Sequence, residues 1–419
     1  MKITFAIALL AAAVFKESQQ QSCFQPFEGH QPSRSGHADL YSGQQEFSLN
    51  LLNAINKVLP NENLFFSPYS TYHALLMAYF LSGKQTEQYL KKVLRLNPTQ
   101  EKSDIYAAYK TDKLLTQILS RDLPYEFNSA NKFYVEQKVP VKECIFYDFP
   151  QELERKDFAT SPEAARVSIN NWVENITHHM IKDLLPPGTI DAQTDLVLVN
   201  AAYFKGLWEN KFPPEATKPD VFYVSPTKQI TVQMMHVEGT FKHDVSETLR
   251  AHILEMPYQG GNISMYIILP PWSNTENSIE ATLKKLTLEN FKSIVDNEHL
   301  IPKTVQVAFP KFSLETTLEM TPILDFLGVG NLFTSNADFS ELTSKKVSLG
   351  EGVHKARIEI NEQGSQAAAA TSFFTFRMMG DEDDIVNVTC NKPFIYFIYN
   401  RKAKTVLFSG LLKSPPSNQ

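Results

Sequence analysis

The chain has 419 residues, of which 43% are hydrophobic and 21% charged, so it can build a sizeable core and is not globally disordered. Its 40 lysines and arginines and 46 aspartates and glutamates give a net charge of −6. No face is basic enough for nucleic acid, so we do not expect a nucleic-acid partner.

The N-terminus, MKITFAIALLAAAVF, has one lysine followed by an apolar run over 3–15. This run is too short to cross a bilayer and is typical of a secretory signal peptide (1–15), cleaved between Ala13 and Gln19. The alternative is a buried N-terminal helix. No later segment has the length and apolarity of a transmembrane helix. We therefore expect a secreted, extracellular protein without a membrane partner, in which residues 16–39 form a loose polar tail.

The cysteines and the N-glycosylation sequons are also relevant to the predicted secretion. Three cysteines, Cys23, Cys144 and Cys390, cannot form a disulfide framework, and no pair has the spacing of zinc ligands. At most one bridge forms, and the sequence leaves open which cysteines pair. In a secreted chain an Asn-x-Ser/Thr sequon can carry a glycan. The candidate N-glycosylation sites are Asn175, Asn262 and Asn387.

Helical patterning dominates from about residue 40 to 156, with apolar residues at helical spacing from Phe47 to Ile55. A helix start is expected at Ser67-Pro68, with serine as the cap and proline at the first helical position. The run that follows is apolar nearly all round, which predicts a buried helix.

The pattern changes after Arg166. The segment SINNWVENITHHMIKDLL (168–185) predicts one amphipathic helix, ended by the Pro-Pro-Gly at 186–188. The continuous apolar run LVLVNAAYF (196–204) predicts a strand covered on both faces. Further strand patterns surround one helix-length segment, 279–295. These strand segments are QITVQMM, SMYIILP, VQVAFPKFSL, ARIEIN, FIYFIYN and TVLFSG. Without a repeat or a linker, the sequence predicts one large α+β domain.

Six blocks of sequence, in order along the chain, resemble those of the serpins, the serine protease inhibitor superfamily. The blocks are NLFFSPYSTYHALLMA (63–78), TDLVLVNAAYFKGLWENKF (194–212), VQVAFPKFSLE (305–315), ADFSELT (337–343), VHKARIEINEQG (353–364) and NKPFIYFI (391–398). The resemblance implies a single serpin domain over 40–414, with three β-sheets, eight to nine helices and an exposed reactive loop at about 362–390.

Two short stretches depart from the family pattern. Phe80 and Leu81 stand where the family usually has glycine and alanine, and His179 and Met180 stand where it often has Gly-Lys. Neither departure touches the loop.

The resemblance places the reactive loop in EINEQGSQAAAATSFFTFRMMGDEDD (359–384). It implies that a target protease attacks this loop and that the segment before the cut inserts as a central strand of the main sheet. Small side chains ease such an insertion, and the chain has no proline between Glu362 and Lys392, as a hydrogen-bonded central strand requires. The predicted hinge residues are Glu362, Gly364, Ser365, Ala367, Ala368, Ala369, Ala370 and Thr371.

Side-chain chemistry and loop length point to different scissile bonds. Arg377 is the basic residue of the loop, and a trypsin-like specificity pocket carries a carboxylate that binds such a side chain. This predicts cleavage at Arg377–Met378. The usual loop length of the family points instead to Met378–Met379, and Phe376–Arg377 stays open for a chymotrypsin- or elastase-like target. The four acids at 381–384 are a solvated loop or a surface that steers a protease with a basic face.

The resemblance also assigns a structural gating role to a hydrogen-bonded cluster under the opening sheet, formed by Ser67, Ser70, Asn200 and His354, and to Trp208 and Lys311 near the upper end of that sheet.

Other groups of residues give only weak signals of a catalytic, metal or glycosaminoglycan site. No Gly-x-Ser-x-Gly elbow supports a serine hydrolase, and His178-His179 lacks the HExxH pattern, so we expect no catalytic residue, cofactor or metal. Lys110, Lys113 and Arg121 fall near the helix that binds heparin in some serpins, but interleaved aspartates favour a solvated face and give glycosaminoglycan binding little support.

The sequence therefore predicts a monomeric, suicide-type inhibitor that forms a covalent complex with an extracellular trypsin-like serine protease. One alternative is a non-inhibitory serpin that serves as a carrier, storage protein or chaperone. Another is an inhibitor of a chymotrypsin- or elastase-like protease. The hinge SQAAAATS (365–372) lacks the bulky, charged or proline residues of non-inhibitory relatives, which favours the inhibitor.

Overall fold

The computed structural model describes residues 22–25, 40–119, 123–272, 278–296, 300–365 and 385–416. Within these ranges no helix combines the length and the apolarity needed to span a lipid bilayer.

The described part of the chain contains nine α-helices, six of them before residue 180. They are α1 Gln44–Val58, α2 Pro68–Leu81, α3 Lys84–Val93, α4 Lys102–Leu119, α5 Glu143–Asp148, α6 Pro162–Ile176, α7 Ser278–Lys285, α8 Leu288–Val295 and α9 Met320–Phe326.

Most strands follow residue 190. They are β1 Leu64–Phe66, β2 Tyr125–Glu136, β3 Leu153–Lys156, β4 Leu196–Leu207, β5 Lys218–Ser225, β6 Lys228–Ser246, β7 Ala251–Pro257, β8 Ile263–Leu269, β9 Ile301–Pro310, β10 Phe312–Glu319, β11 Leu349–Asn361, β12 Gly364–Ser365, β13 Val386–Thr389, β14 Phe394–Asn400 and β15 Thr405–Leu412.

The strands form two hydrogen-bonded networks. A six-stranded sheet has the order β10–β11–β12–β4–β2–β3. A nine-stranded network runs β1–β15–β14–β8–β7–β6–β9–β13, with β5 also on β6. The long strand β6 joins two strand groups, because one part of it pairs with β5 and β9 and its last residues pair with β7. The predicted α+β class with three groups of strands is confirmed.

The core has three regions that follow from these layers. Apolar residues of α1 and α2 pack with β14 and β15. The inner face of the six-stranded sheet packs against the nine-stranded network. On the opposite face, Ile169 and Val173 of α6 cover Val199 of β4 and Val353 of β11. Strand β4 is therefore buried on both faces, as its continuous apolar run predicts.

The predicted start of α2 is confirmed. Ser67 is the N-cap and its side chain accepts a hydrogen bond from Ser70 N at 3.0 Å, while Pro68 occupies the first helical turn. Twelve of the fourteen residues of α2 are buried, so this helix is enclosed on all sides.

The helix predicted over 168–185 is wrong at both ends. Helix α6 begins six residues earlier and ends at Ile176, and His178 and His179 then adopt φ of +50° and +62°. Asn170 holds the chain beyond this break, because its side chain bonds both the N–H and the carbonyl of Leu185 at 2.9 Å. The segment therefore folds back along the helix instead of extending it.

The single helix expected over 279–295 is also interrupted. Helices α7 and α8 are separated by a turn in which the side chain of Thr287 caps α8, accepting from Asn290 N at 3.2 Å.

The N-terminal residues 22–25 differ from the loose tail expected over 16–39. Cys23 forms a disulfide with Cys144, 121 residues away, and Phe24 is only 7% exposed. Cys390 is a buried free thiol. The structure thus selects one pairing among those that the sequence left open.

Candidate functional site

The central feature of the six-stranded sheet is a parallel pair, β4 and β11, that is closed along most of its length. These strands pair directly from Leu349 opposite Leu196 to Arg357 opposite Tyr203. Beyond Arg357 the two strands are separated by β12. The sheet is therefore open at this end, which we call the upper end.

The two residues of β12 occupy this opening and are antiparallel to both neighbours. Gly364 lies opposite Asn361 and Leu207, and Ser365 lies opposite Ile360 and Gly206. The chain leaves β11, turns and enters the sheet again at the predicted hinge.

The turn between β11 and β12 requires glycine at position 364. Gly364 has φ of +155°, and a Cβ atom built on it would lie 2.1 Å from the carbonyl oxygen of Gly206. The side chain of Asn361 stabilises the same turn, because its Oδ1 accepts hydrogen bonds from Gln363 N at 3.0 Å and Gly364 N at 3.2 Å.

Glu362 fastens the turn to neighbouring elements. Its carboxylate accepts hydrogen bonds from Lys311 Nζ at 3.0 and 3.1 Å and from Thr217 Oγ1 at 3.0 Å. Burial opposes the ionised form, but a backbone hydrogen bond, Lys311 and Thr217 outweigh it and hold the pKa of Glu362 below its ordinary value. Glu362 is therefore ionised at neutral pH.

Ser365 is fully buried, and its hydroxyl is 2.6 Å from the hydroxyl of Tyr258. Tyr258 stacks on Trp208 with ring centroids 4.4 Å apart. Trp208 in turn donates from N to Gln363 O at 2.8 Å and from Nε1 to Asn361 O at 3.1 Å. Side chains on the Ser365 face of an inserting strand would therefore point into the closed interior between the sheets.

A second polar group lies beneath the closed part of the sheet, and all its members are buried. His354 of β11 pairs in register with Asn200 of β4, and His354 Nδ1 is hydrogen-bonded to Asn200 Oδ1. His354 Nε2 accepts from Ser67 N at 3.0 Å, and Asn200 Nδ2 donates to Ser70 Oγ at 2.7 Å. Ser67 Oγ donates to Leu407 O of β15 at 2.7 Å. The group links both sides of the β4–β11 pair to α2.

The hydrogen bonds fix the protonation state of His354. Because the backbone N–H of Ser67 donates to Nε2, the proton of the neutral ring is on Nδ1 and is donated to Asn200. Burial lowers the pKa of His354 to about 3, against a smaller opposing effect of Asn200. The imidazole is therefore neutral at pH 7.

The structure brings four of the predicted gating residues together in one network and places Trp208 at the upper end of the sheet. Ser67, Ser70, Asn200 and His354 share one network, whereas Trp208 belongs to the hinge turn at the upper end. Two further residues at the hinge, Tyr258 and Thr217, carry no local sequence signal. Their role depends on a strand and a turn that are distant in sequence.

Several other predicted sites fall in parts of the chain that the structure does not describe. The hinge residues from Ala367 to Thr371, the bonds around Arg377 and Met378, the acids at 381–384 and Arg121 lie outside the described residues.

The sequons sit in unequal positions. Asn387 and its sequon residue Thr389 are both exposed. Asn175 is exposed, but Thr177 of its sequon is buried and donates to Val173 O at 2.8 Å. Asn262 is half-buried, and the hydroxyl of Ser264 is buried against Glu255.

Two of the three basic residues on and after α4 bond to other residues of the chain. Lys110 donates to Asp148 O at 3.3 Å, and Lys113 bonds the carboxylate of Glu152.

Comparison with known proteins identifies the family of the chain. The family model described as Serpin (serine protease inhibitor) matches residues 42–415. The chain belongs to the serpin family. Family membership, not the absence of a catalytic motif, shows that the protein is of an inhibitor class and not an enzyme.

Its relatives include inhibitors and a binding protein. Serine protease inhibitor 88Ea of Drosophila melanogaster is 39% identical over 90% of this chain and 91% of that protein. Leukocyte elastase inhibitor of Sus scrofa is 34% identical over 90% of this chain and 99% of that protein. The crystal structure of human thyroxine-binding globulin superposes with a TM-score of 0.80 at 26% identity, covering 91% of this chain and 99% of that one.

Proposed function

We propose that this serpin is a secreted, monomeric, suicide-type inhibitor of a trypsin-like serine protease, cleaved at Arg377–Met378. The observation that carries the proposal is the opening between β4 and β11, which already holds Gly364 and Ser365. A longer strand that follows these two residues gains hydrogen-bonding partners on both sides once β4 and β11 separate below Arg357.

The register of β12 indicates where an inserted loop would lie. Six residues beyond Ser365, the antiparallel register sets Thr371 opposite both Asn200 and His354. Insertion must therefore replace the Asn200–His354 hydrogen bond with contacts to the incoming strand. Ala367 and Ala369 precede Thr371 on the same face, where small side chains fit the closed interior.

The reaction that starts this change belongs to the target protease. Its serine attacks the carbonyl carbon of Arg377, the Arg377–Met378 bond breaks, and the amine of Met378 leaves with a proton. The protease is then joined to Arg377 through an ester. From Ser365 to Arg377 the chain has 12 residues, so insertion displaces the ester by about 40 Å. The displacement distorts the oxyanion hole and triad of the protease, and the ester is not hydrolysed.

The disulfide and the exposed asparagines of two sequons support secretion. A Cys23–Cys144 bond persists in an oxidising compartment, and Asn175 and Asn387 are exposed to a glycosylating enzyme. Expression in a secretory host, followed by N-terminal sequencing and glycosidase treatment, tests this part. Retention of residues 1–15 in the secreted protein would contradict it.

The inhibitory mechanism is tested by incubation with trypsin-, chymotrypsin- and elastase-like proteases. We expect a complex with the trypsin-like protease that survives denaturing electrophoresis, and a released peptide that begins at Met378. Arg377→Gln should slow this complex by at least 100-fold, since the specificity pocket loses its cation. The neighbouring Met378→Gln keeps that cation and serves as the matched control.

Three other outcomes would redirect the proposal. A peptide that begins at Met379, with a chymotrypsin- or elastase-like partner, would assign the other scissile bond. A peptide that begins at Arg377 would assign the Phe376–Arg377 bond. Complete cleavage without a covalent complex would favour a non-inhibitory serpin, the class of function suggested by the likeness to a thyroxine-binding protein.

A further inference from the structure

We propose that residues 22–25, fastened by the Cys23–Cys144 disulfide, form a clamp that slows the separation of β4 from β11. We call residues 22–25 with Cys144 the N-terminal clamp. The inference rests on the proposed function in one respect, namely that the six-stranded sheet must open to admit a strand.

The apolar part of the clamp is a buried phenylalanine. The ring of Phe24 lies 4.9 Å from that of Tyr106 on α4, 5.7 Å from Phe80 on α2 and 5.9 Å from Phe149 after α5. Phe80 occupies the position where the family usually has a small residue. The departure in sequence and the N-terminal segment are therefore parts of one aromatic cluster.

The polar part of the clamp centres on Asp148, which is 1% exposed at the end of α5. One carboxylate oxygen accepts from Cys23 N at 2.8 Å, and the other accepts from Tyr106 Oη at 2.9 Å. The carbonyl of Asp148 accepts from Lys110 Nζ at 3.3 Å. Residues 22–25 are thus held by a covalent bond, a charge-assisted hydrogen bond and aromatic packing.

These contacts join elements that must move relative to one another. Helix α2 is tied to β15 through Ser67 Oγ and Leu407 O and packs on α1 through Tyr72 and Phe47, whose rings are 5.4 Å apart. Helix α5 leads directly into β3, which pairs with β2, and β2 pairs with β4.

Helix α2 is bonded to both sides, to β4 through Ser70 and Asn200 and to β15 through Ser67 and Leu407. When β4 separates from β11, we expect the β4–β2–β3 half of the sheet to shift together with α5 and to break the Ser70–Asn200 bond, while α2 stays with β15. The clamp touches α2 through Phe80 and α5 through Cys144, so this shift must shear it. Removing the disulfide or the phenylalanine ring therefore lowers the barrier to opening.

The test measures sheet opening without any protease. A fluorescently labelled peptide with the sequence of residues 362–377 is added to the uncut protein, and its incorporation is followed on native gels and by the rise in thermal stability. We expect the double variant Cys23→Ser/Cys144→Ser and the variant Phe24→Ala to take up the peptide at least 3-fold faster than the wild type. Phe24→Leu, which keeps an apolar group, should be intermediate.

Two control variants separate the clamp from general destabilisation. Ile294→Ala removes a buried side chain of α8, away from the clamp, and lowers the thermal stability. Cys390→Ser removes the buried free thiol without touching the disulfide. Both should take up the peptide at the wild-type rate.

Equal rates in the clamp variants and Ile294→Ala would overturn the clamp and leave the proposed function intact. Failure of every variant to take up the peptide would refute sheet opening, and the clamp with it.

Discussion

Protonation of His354 should weaken the closed sheet in a way that a single substitution removes. Its Nε2 accepts a hydrogen bond from Ser67 N, and no second proton can be placed there without losing that bond. The pKa of His354 is about 3 in the folded protein, because the ring is fully buried. In the unfolded chain the pKa is about 6.5.

The direction in which stability changes with pH follows from these two pKa values. Above about pH 6.5 both states hold a neutral ring, and the folded state carries no penalty. As the pH falls from 6.5 towards 3, the unfolded state binds a proton that the folded state excludes, so stability decreases. The loss is about 2 kcal/mol at pH 5 and approaches about 5 kcal/mol below pH 3.

His354→Gln is the informative variant, since glutamine offers a neutral acceptor to Ser67 N and does not titrate. Urea unfolding of the wild type and of His354→Gln at pH 7.5 and 5.0 gives four free energies. We expect the wild type to lose about 2 kcal/mol more than the variant on acidification. The other histidines are common to both proteins, so their effects cancel. One of them is His243, whose pKa is lowered to about 4 by burial and by the nearby His252 and Lys303. The same loss in both proteins would show that His354 is not the group responsible.

The hinge gives two further predictions. Ala369→Arg should convert the protein from an inhibitor into a substrate, because its side chain would enter the closed interior during insertion. In the same register Gln366→Arg would lie on the other face, opposite the half-buried Lys205 and Glu359, and should raise the number of inhibitor molecules consumed per protease much less. Equal stoichiometries on titration would contradict the assigned face. Gly364→Ala should destabilise the uncut protein by more than Gly188→Ala, since both glycines have positive φ but only at Gly364 would a Cβ meet backbone, that of Gly206 at 2.1 Å. Thermal unfolding of the two variants measures this, and an equal loss would mean that β12 is not held in the sheet.

The parts of the site that could be predicted from sequence are those with local signals. Ser67-Pro68 specifies a capped helix start within four residues, and the apolar run of β4 specifies a strand covered on both faces. The serpin resemblance supplied the hinge and the gating residues. The prediction failed where a periodic pattern continued past the true end of a helix, at Ile176, because the contacts of Asn170 with Leu185 outweigh the helical periodicity.

By itself the sequence determined the class of fold, the order of its elements and the small, proline-free hinge, since caps, periodicity and side-chain volume act over a few residues. Only the tertiary structure decided that Cys23 pairs with Cys144, that Phe24 fills the space beside Phe80, and that the indole of Trp208 donates to the carbonyl of Asn361. The physical reason is separation along the chain. Contacts between residues about 55 to 155 positions apart depend on how the packed layers are placed against one another, and no local sequence pattern predicts that placement.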